Sequence, residues 1–439
     1  MGMQEATPAH TELRNRIEGL KATKGRLSRQ VGDARKIGGD CDALITELQA
    51  VSGELKVLQK SLKKELNRGA TSERAWQPEA PSVPGAILDE SHGAVEIASL
   101  SDNPCARAAV EDYVRNHPAS SLWHTPEILQ FITNTCGHAH QYLYASDRDG
   151  QIRGVLPVVQ QTSWLFGNFM VSVPYFNYGG VLADSPIIAK ELTQKAERWR
   201  SERGARHIEL RHTHDEFPDF PKRTDKVTWW LPLPNDQTLL WDSFQPKVRA
   251  QVRRGEREVS GVDVGGAELF EDFYRVFARN MRDLGTPVYG RDFFNDLLQT
   301  LGDRATLVVA RIDGKPAGCA FLTGFGSRME IPWASTLREH NHTGINMAMY
   351  WKVLQLAVEQ GFELFDFGRC SRDAGTARFK QQWGTHPVPL HWHYCLPEGS
   401  EMPGLNPNNP KFRLLIAIWK RLPVAIANLL GPRIVKDLP

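Results

Sequence analysis

The sequence predicts an α/β chain of the α+β kind: a duplicated core of strands and helices, preceded by an antiparallel helical hairpin. Three observations carry this. Apolar residues at alternating spacings of three and four fill residues 1–68, a Pro-rich stretch follows, and one succession of strands and helices then occurs twice. Of 439 residues, 41% are hydrophobic and 24% charged, which excludes a disordered chain or a fibre. Lys+Arg 53 against Asp+Glu 51 leaves a net charge of +2. The balance is local, because residues 1–70 hold 13 Lys/Arg and 9 Asp/Glu while the remainder holds 40 and 42. A basic appendage precedes a slightly acidic body.

In the first arm the spacing runs through Leu13, Ile17, Leu20, Lys24, Leu27, Val31 and Ala34; in the second through Leu44, Leu48, Val51, Leu55, Leu58 and Leu62. Gly38-Gly39-Asp40 breaks them apart, and arms of this size reach roughly 35 Å. Lys56, Lys60 and Lys63 line the outside of one arm, with Arg26 and Arg29 on the other. Such a face suits phosphates, and a solvated surface is the competing explanation. Leu27-Ser28-Arg29-Gln30-Val31-Gly32, the Gly-Gly-Asp turn and the Leu-rich return resemble the tRNA-gripping arm of seryl-tRNA synthetases over residues 10–68. That resemblance implies tRNA as partner; a dimerisation hairpin is the alternative.

Residues 69–94, with Pro78, Pro81 and Pro84, read as a linker. Residues 95–235 then form a first domain, with strands over 141–146, 154–161, 165–173, 206–211 and 226–233 and a helix over 187–203. Residues 236–396 form a second, with helices over 267–284 and 291–301, a meander over 305–312, 317–324 and 328–334, a helix over 345–360, and strands over 364–367 and 388–394. The tail 397–439 is basic and apolar around Lys411–Arg421, with apolar runs too short to span a bilayer. It has the composition of a segment that lies on a membrane surface, and packing on the body is the rival reading.

Chemistry concentrates in two places. After Pro246 come Lys247, Arg249, Arg253 and Arg254, and guanidiniums in a helical row bind phosphates through planar paired donors. A surface helix balanced by Glu256 and Glu258 is the alternative. Asp366 and Arg369 sit at a strand end, where open α/β sheets receive ligands, and the polar loop 370–376 leads to Arg378, Phe379, Lys380 and Trp383. Phe379 and Trp383, four apart, also suit a core. Among four H-x-H pairs only His212, His214 and Asp215 approach a metal-donor set, and no metal is expected. Thr343 reads as a cap ahead of the 345–360 helix, and no dinucleotide or P-loop glycine motif occurs. Six scattered cysteines without a C-x-x-C pair and a start lacking a secretory pattern predict a cytoplasmic protein.

Val173-Pro174-Tyr175-Phe176-Asn177-Tyr178-Gly179-Gly180, the Lys247–Arg254 run, Asp366-Phe367-Gly368-Arg369, Phe379-Lys380-Gln381-Gln382-Trp383-Gly384 and Leu390-His391-Trp392-His393-Tyr394 together resemble the FemAB family over about residues 95–435. More closely, they are similar to FemAB-related proteins associated with PEP-CTERM/exosortase exopolysaccharide systems. The resemblance implies two fused GNAT-like acyltransferase domains with a cleft between them. It also implies aminoacyl-tRNA as donor substrate rather than a bound cofactor, and an amine acceptor from cell-envelope or exopolysaccharide metabolism. It ties the Phe379-Lys380 pair to transfer and so gives Lys380 the candidate catalytic role. The chemistry of the reaction then suggests positive charge from Lys380 assisted by Arg378, Asp366 either orienting Arg369 or accepting a proton, and substrate contacts from Asn177, Tyr178, Gly179, Gly180, Phe379 and Trp383. Best-known members carry their helical arm inside the second domain, whereas here it is N-terminal. An acyl-CoA-dependent N-acyltransferase on the same fold, or a noncatalytic tRNA-binding scaffold, remains the alternative, since fold alone does not choose the donor.

Overall fold

The computed structural model describes the backbone of residues 8–36, 40–69, 76, 79–82, 94–163, 166–372, 374–403 and 410–438; side chains are described there except in 8–15, 34–36, 59–69 and 410–414. Gly38 and Gly39, the Lys60 and Lys63 side chains and most of the expected linker lie outside the described residues. The chain divides into two compact units, Met1–Gln77 and Pro78–Pro439.

The first unit consists of helices Pro8–Lys36 and Asp42–Gly69, packed on one another. Ile17, Leu27, Val31 and Leu55 from the predicted apolar rows are buried, and an Arg16–Glu54 ion pair of 2.8 Å crosses between the helices. The Asp40 carboxylate accepts from the Asp42 amide, satisfying a donor that the second helix leaves open at its start. Lys24, in the same row as the apolar residues, is exposed, as are Arg26, Arg29 and Lys56.

The second unit holds two sheets built alike. In the first, Glu96–Ser99, Ala139–Ser146, Ile152–Ser163 and Gly167–Val171 run antiparallel in that order. The helix Pro186–Glu202 then crosses over, so that Ile208–His212 lies parallel to Gly167–Val171. Ser185 caps this helix by accepting from the Ile188 amide, and Pro186 starts it without leaving an amide unbonded. In the second sheet, Gly261–Gly265, Ala305–Ile312, Lys315–Phe325 and Arg328–Thr336 make the antiparallel run. The helix Ile345–Glu359 crosses over and Leu364–Ser371 pairs parallel with Arg328–Thr336.

Each sheet is completed from the other end of the unit. Lys226–Pro232, expected in the first domain, pairs with Leu364–Ser371 in the second sheet. The expected strand 388–394 is two strands: His386–Pro389 pairs with Lys226–Pro232, and His391–Cys395 crosses to pair with Ile208–His212 in the first sheet. The boundary drawn at 235 and 236 therefore separates strands that pair. Pro387 and Pro389 cannot donate to a ladder, which suits the edge strand they occupy.

Aromatic residues from both halves share one core, in which Trp123 stacks on Phe176 at 3.7 Å and Phe131 meets Phe293 edge-on at 5.2 Å. Helices Arg107–Asn116 and Pro126–Cys136, absent from the sequence expectation, carry part of that core. In the tail, Pro410–Trp419 and Val424–Val435 are helical, and no helix among the described residues is long and apolar enough to cross a membrane.

Candidate active site

The parallel pairing of Arg328–Thr336 with Leu364–Ser371 covers only Arg328↔Leu364, Met329↔Phe365 and Glu330↔Asp366, although both strands continue. Past that point the strands part, and two carboxyl groups stand at the vertex. Asp366 is fully buried and well supplied with donors. Its Oδ2 accepts from Tyr178 Oη at 2.7 Å and Trp230 Nε1 at 3.0 Å; its Oδ1 accepts from Thr228 Oγ1 and, at 2.7 Å, from the Gly368 amide. Arg369 is not among its partners.

Glu330 is the functional candidate that sequence reasoning missed. Its oxygens accept from Trp123 Nε1 at 2.8 Å and Asn177 Nδ2 at 3.3 Å, and no cation pairs with it among the described residues. Burial, reinforced by Asp366, pushes its pKa up to about 8. Arg328, two residues away on the same strand face, donates instead to Tyr178 Oη at 3.1 Å and to the Ser120 carbonyl at 3.1 Å. The signal was available: Arg328 and Glu330 alternate with Met329 and Ile331, a charged face on a strand that both flanking strands bury.

Lys380 stands on the short helix Gly375–Gln381 and is 8% exposed. Its Nζ donates to the Gly368 carbonyl at 2.7 Å and the Arg369 carbonyl at 3.3 Å. Burial lowers its pKa, while Asp366 and Glu330 act to raise it. The strand bulges here, with Asp366 opposite Trp230 and Arg369 opposite Thr228, and Gly368 takes φ +75°. Asp366 holds the Gly368 amide and Lys380 its carbonyl, so both predicted residues fix the bulge.

The remaining predicted residues divide. Asn177 and Tyr178 reach the vertex as described. Arg369 is exposed and lies over the Trp392 ring at 4.8 Å, which Arg211 also meets at 4.3 Å. Arg378 is exposed, and Phe379 meets Tyr350 at 4.9 Å. Trp383 is a core residue against Phe244 at 5.3 Å. Gly179 and Gly180, expected to flex beside the acceptor, are buried: any Cβ on Gly180 would collide with the His212 ring. Arg26, Arg29 and Lys56 belong to the first unit.

The helix Pro246–Glu258 carries the cationic run, and much of it is engaged. Arg249 pairs with Asp242 at 3.3 Å, Arg253 lies over Trp241 at 5.3 Å, and Arg254 donates to the His342 carbonyl at 2.9 Å. Lys247 and Arg257 are exposed. Gly255 of this helix packs so tightly on the Gly344 carbonyl that no Cβ fits, which lays the helix across the start of Ile345–Glu359.

A cleft of about 540 Å³ opens between the halves, lined in part by Arg115, Glu127, Arg304, Thr323 and Phe325. Thr323 and Phe325 also line the small cavity that holds Tyr178, Arg328 and Glu330. Elsewhere, Asp215, His391 and His393 place ligand atoms within 4.8 Å of one another. The Val181 amide donates to His212 Nε2, so neutral His212 carries its proton on Nδ1, which faces His393 Nδ1 at 3.1 Å; His393 Nε2 then donates to Asp215 at 2.9 Å. This directed chain occupies the nitrogen that a metal would need.

Residues 245–381 match the family model described as an acetyltransferase (GNAT) domain. No curated protein matches the chain. Among solved structures, FemX is similar at 14% identity over 71% of this chain and 98% of its own, with a TM-score of 0.52. A tandem GNAT protein from the clavulanic acid biosynthesis pathway aligns at 13% identity over 71% of this chain and 100% of its own, with a TM-score of 0.45. L-PGS from Bacillus licheniformis aligns at 15% identity over 71% and 98%, with a TM-score of 0.41. Over the aligned part of the chain the fold is therefore FemX-like, and residues 245–381 match a GNAT domain.

Proposed function

We propose that the protein is an acyltransferase that takes an amino acid from aminoacyl-tRNA, a serine-type tRNA first, and transfers it to an amine on a cell-envelope or exopolysaccharide precursor. The observation that carries acyl transfer is the strand vertex: Glu330 with its raised pKa lines a small cavity that shares Thr323 and Phe325 with the cleft, and buried Lys380 holds the bulge that follows Asp366. A base with a pKa near the working pH suits removal of a proton from an attacking amine.

In the reaction the amine nitrogen bonds to the ester carbonyl carbon, and the carbonyl oxygen gathers negative charge. Glu330 takes the amine proton and Lys380 supplies positive charge near the oxyanion. The C–O bond to the ribose then breaks, and the proton moves to the departing ribose oxygen. Asn177 and Tyr178 orient Glu330 and Asp366. The ester is already activated, so alignment supplies much of the rate and no covalent intermediate is required.

The choice of donor rests on the resemblance to FemAB proteins, the basic first unit, and the helix laid across the start of Ile345–Glu359. Free amides at a helix start bind phosphates. Here Thr343 Oγ1 accepts from the Ile345 amide and Gly255 closes over Gly344. That crowding disfavours seating a coenzyme A pyrophosphate there. The test is to purify the protein at low salt, sequence bound RNA with and without residues 1–70, and follow loss of labelled aminoacyl ester with acceptor amines. Bound tRNA that depends on the arm, and ester loss that requires Glu330 and Lys380, support the reading. No RNA, together with a thermal shift on adding an acyl-CoA, favours the acyl-CoA enzyme.

A further inference from the structure

We infer that the two tail helices form a docking surface for an anionic lipid bilayer, lying on it without crossing. This does not depend on the reading of the vertex. The helix Val424–Val435 is built inside out for a surface helix. Its inward positions are the small or modest residues Ala427, Gly431 and Val435, four apart, and a Cβ on Gly431 would stand 2.8 Å from the Val288 amide. Its outward positions are Ile426, Leu429 and Leu430, with Leu429 63% exposed. A helix turned towards water alone would place these the other way round.

The preceding helix Pro410–Trp419 adds Leu415, Ile416 and Ile418, all exposed. Of the eleven exposed large apolar residues described, these two helices hold six. Such a concentration marks an interaction surface, whereas scattered ones need no explanation. Leu284 is also exposed, and its neighbour Gly285 abuts the first helix, where a Cβ would lie 2.6 Å from Ile416 Cγ2.

Charge selects the occupant. From Met402 to Lys436 the sequence has six Lys/Arg and no Asp or Glu. Lys420, Arg421, Arg433 and Lys436 are exposed, and none makes an ion pair among the described residues. Apolar side chains flanked by unpaired cations fit lipid tails beneath anionic headgroups. A matching copy of the same positive face would be repelled. The surface is anchored: Arg282 donates to the Leu422 carbonyl at 2.7 Å, and Tyr175 Oη and Gln161 Nε2 donate to the Lys436 carbonyl at 2.7 and 3.1 Å.

Flotation of the full chain tests this, using vesicles of phosphatidylcholine alone or with about one third phosphatidylglycerol. The chain is expected to float with the anionic vesicles and to be released at about 1 M salt, where charges are screened beyond ~3 Å. The I418E/L429E variant, altered only at exposed positions, should melt like the parent and lose flotation. In K420E/R421E, each cation lost should lower the partition coefficient about five-fold. No flotation of the parent, equal flotation on neutral vesicles, or undiminished flotation of both variants overturns the inference. A parent that is dimeric by light scattering while I418E/L429E is monomeric, without flotation, assigns the face to a second copy and also overturns it.

Discussion

The two sheets reach the same point and do different things there. In the first, the last parallel pair before the strands part is Val171↔Glu209; in the second it is Glu330↔Asp366. Glu209 is closed off. Arg211 pairs with it at 2.7 Å, Tyr394 donates to it at 2.6 Å, and although burial would raise its pKa, these partners hold it below the usual range. Asp366, at the corresponding place, keeps the neutral donors Tyr178, Thr228 and Trp230 in place of a cation, and the valine position is taken by Glu330. One vertex is thus neutralised, while the other has a second carboxyl with no ion-pair partner among the described residues. A buried acid without compensation is a poor stabiliser and a good proton acceptor.

The comparison breaks most readily at Arg211. In Arg211→Met, Glu209 is left buried and unpaired, and urea unfolding should show a loss of about 3–5 kcal/mol. Transfer per folded molecule should stay within a few-fold of the parent. The opposite pattern is expected at the other vertex. Glu330→Gln and Lys380→Ala should each reduce the transfer rate by roughly 10²–10³, with Glu330→Gln folding at least as well as the parent at pH 8. If Glu330→Gln transfers normally, the vertex is structural in both halves. Gly255→Ala comes next: a methyl driven into the Gly344 carbonyl should destabilise by about 1–3 kcal/mol, read from the melting temperature.

A different kind of test is a slope with pH. Glu330 has a folded pKa of about 8 against the usual 4.5, so between those values the folded chain holds a proton that the unfolded chain has released. Its contribution to stability falls as pH rises through that window, and Glu330→Gln should gain on the parent from pH 5 to pH 8. Glu209 has the opposite sign. Its lowered pKa makes its stabilisation present above the unfolded value and lost as pH falls through the folded one. Melting of the parent, Glu330→Gln and Glu209→Gln across pH separates the two.

Local pattern told a good deal of this. The helix Arg291–Leu301 and the strand Ala305–Ile312 have the bounds that periodicity predicts, and Pro246 starts the cationic helix as expected. Asp366 stands out because it places charge at a strand end, and Lys380 through the resemblance of Phe379-Lys380 to the FemAB pattern. What escaped was long-range. Nothing near Lys226–Pro232 or His391–Cys395 records which sheet each will join, because strand pairing is decided by distant partners. Trp383, expected either at the substrate beside Arg378 and Lys380 or in a core with Phe379, is enclosed by Phe244 and Tyr350. Glu330 lay inside an expected strand, where Asp366, only 36 positions later in sequence, becomes its neighbour through a crossover that one strand alone does not reveal.

The exchange of strands also sets a timetable. During synthesis the first sheet leaves the ribosome with its Ile208–His212 strand unpaired on one side, and the strand that covers it, His391–Cys395, is made almost last. The opposite edge of the second sheet is fitted around Lys226–Pro232, which must wait for Leu364–Ser371. The second sheet is complete only when Pro389 has been made and the first only when Cys395 has, so folding ends as a single late closure of the whole unit rather than in two successive steps.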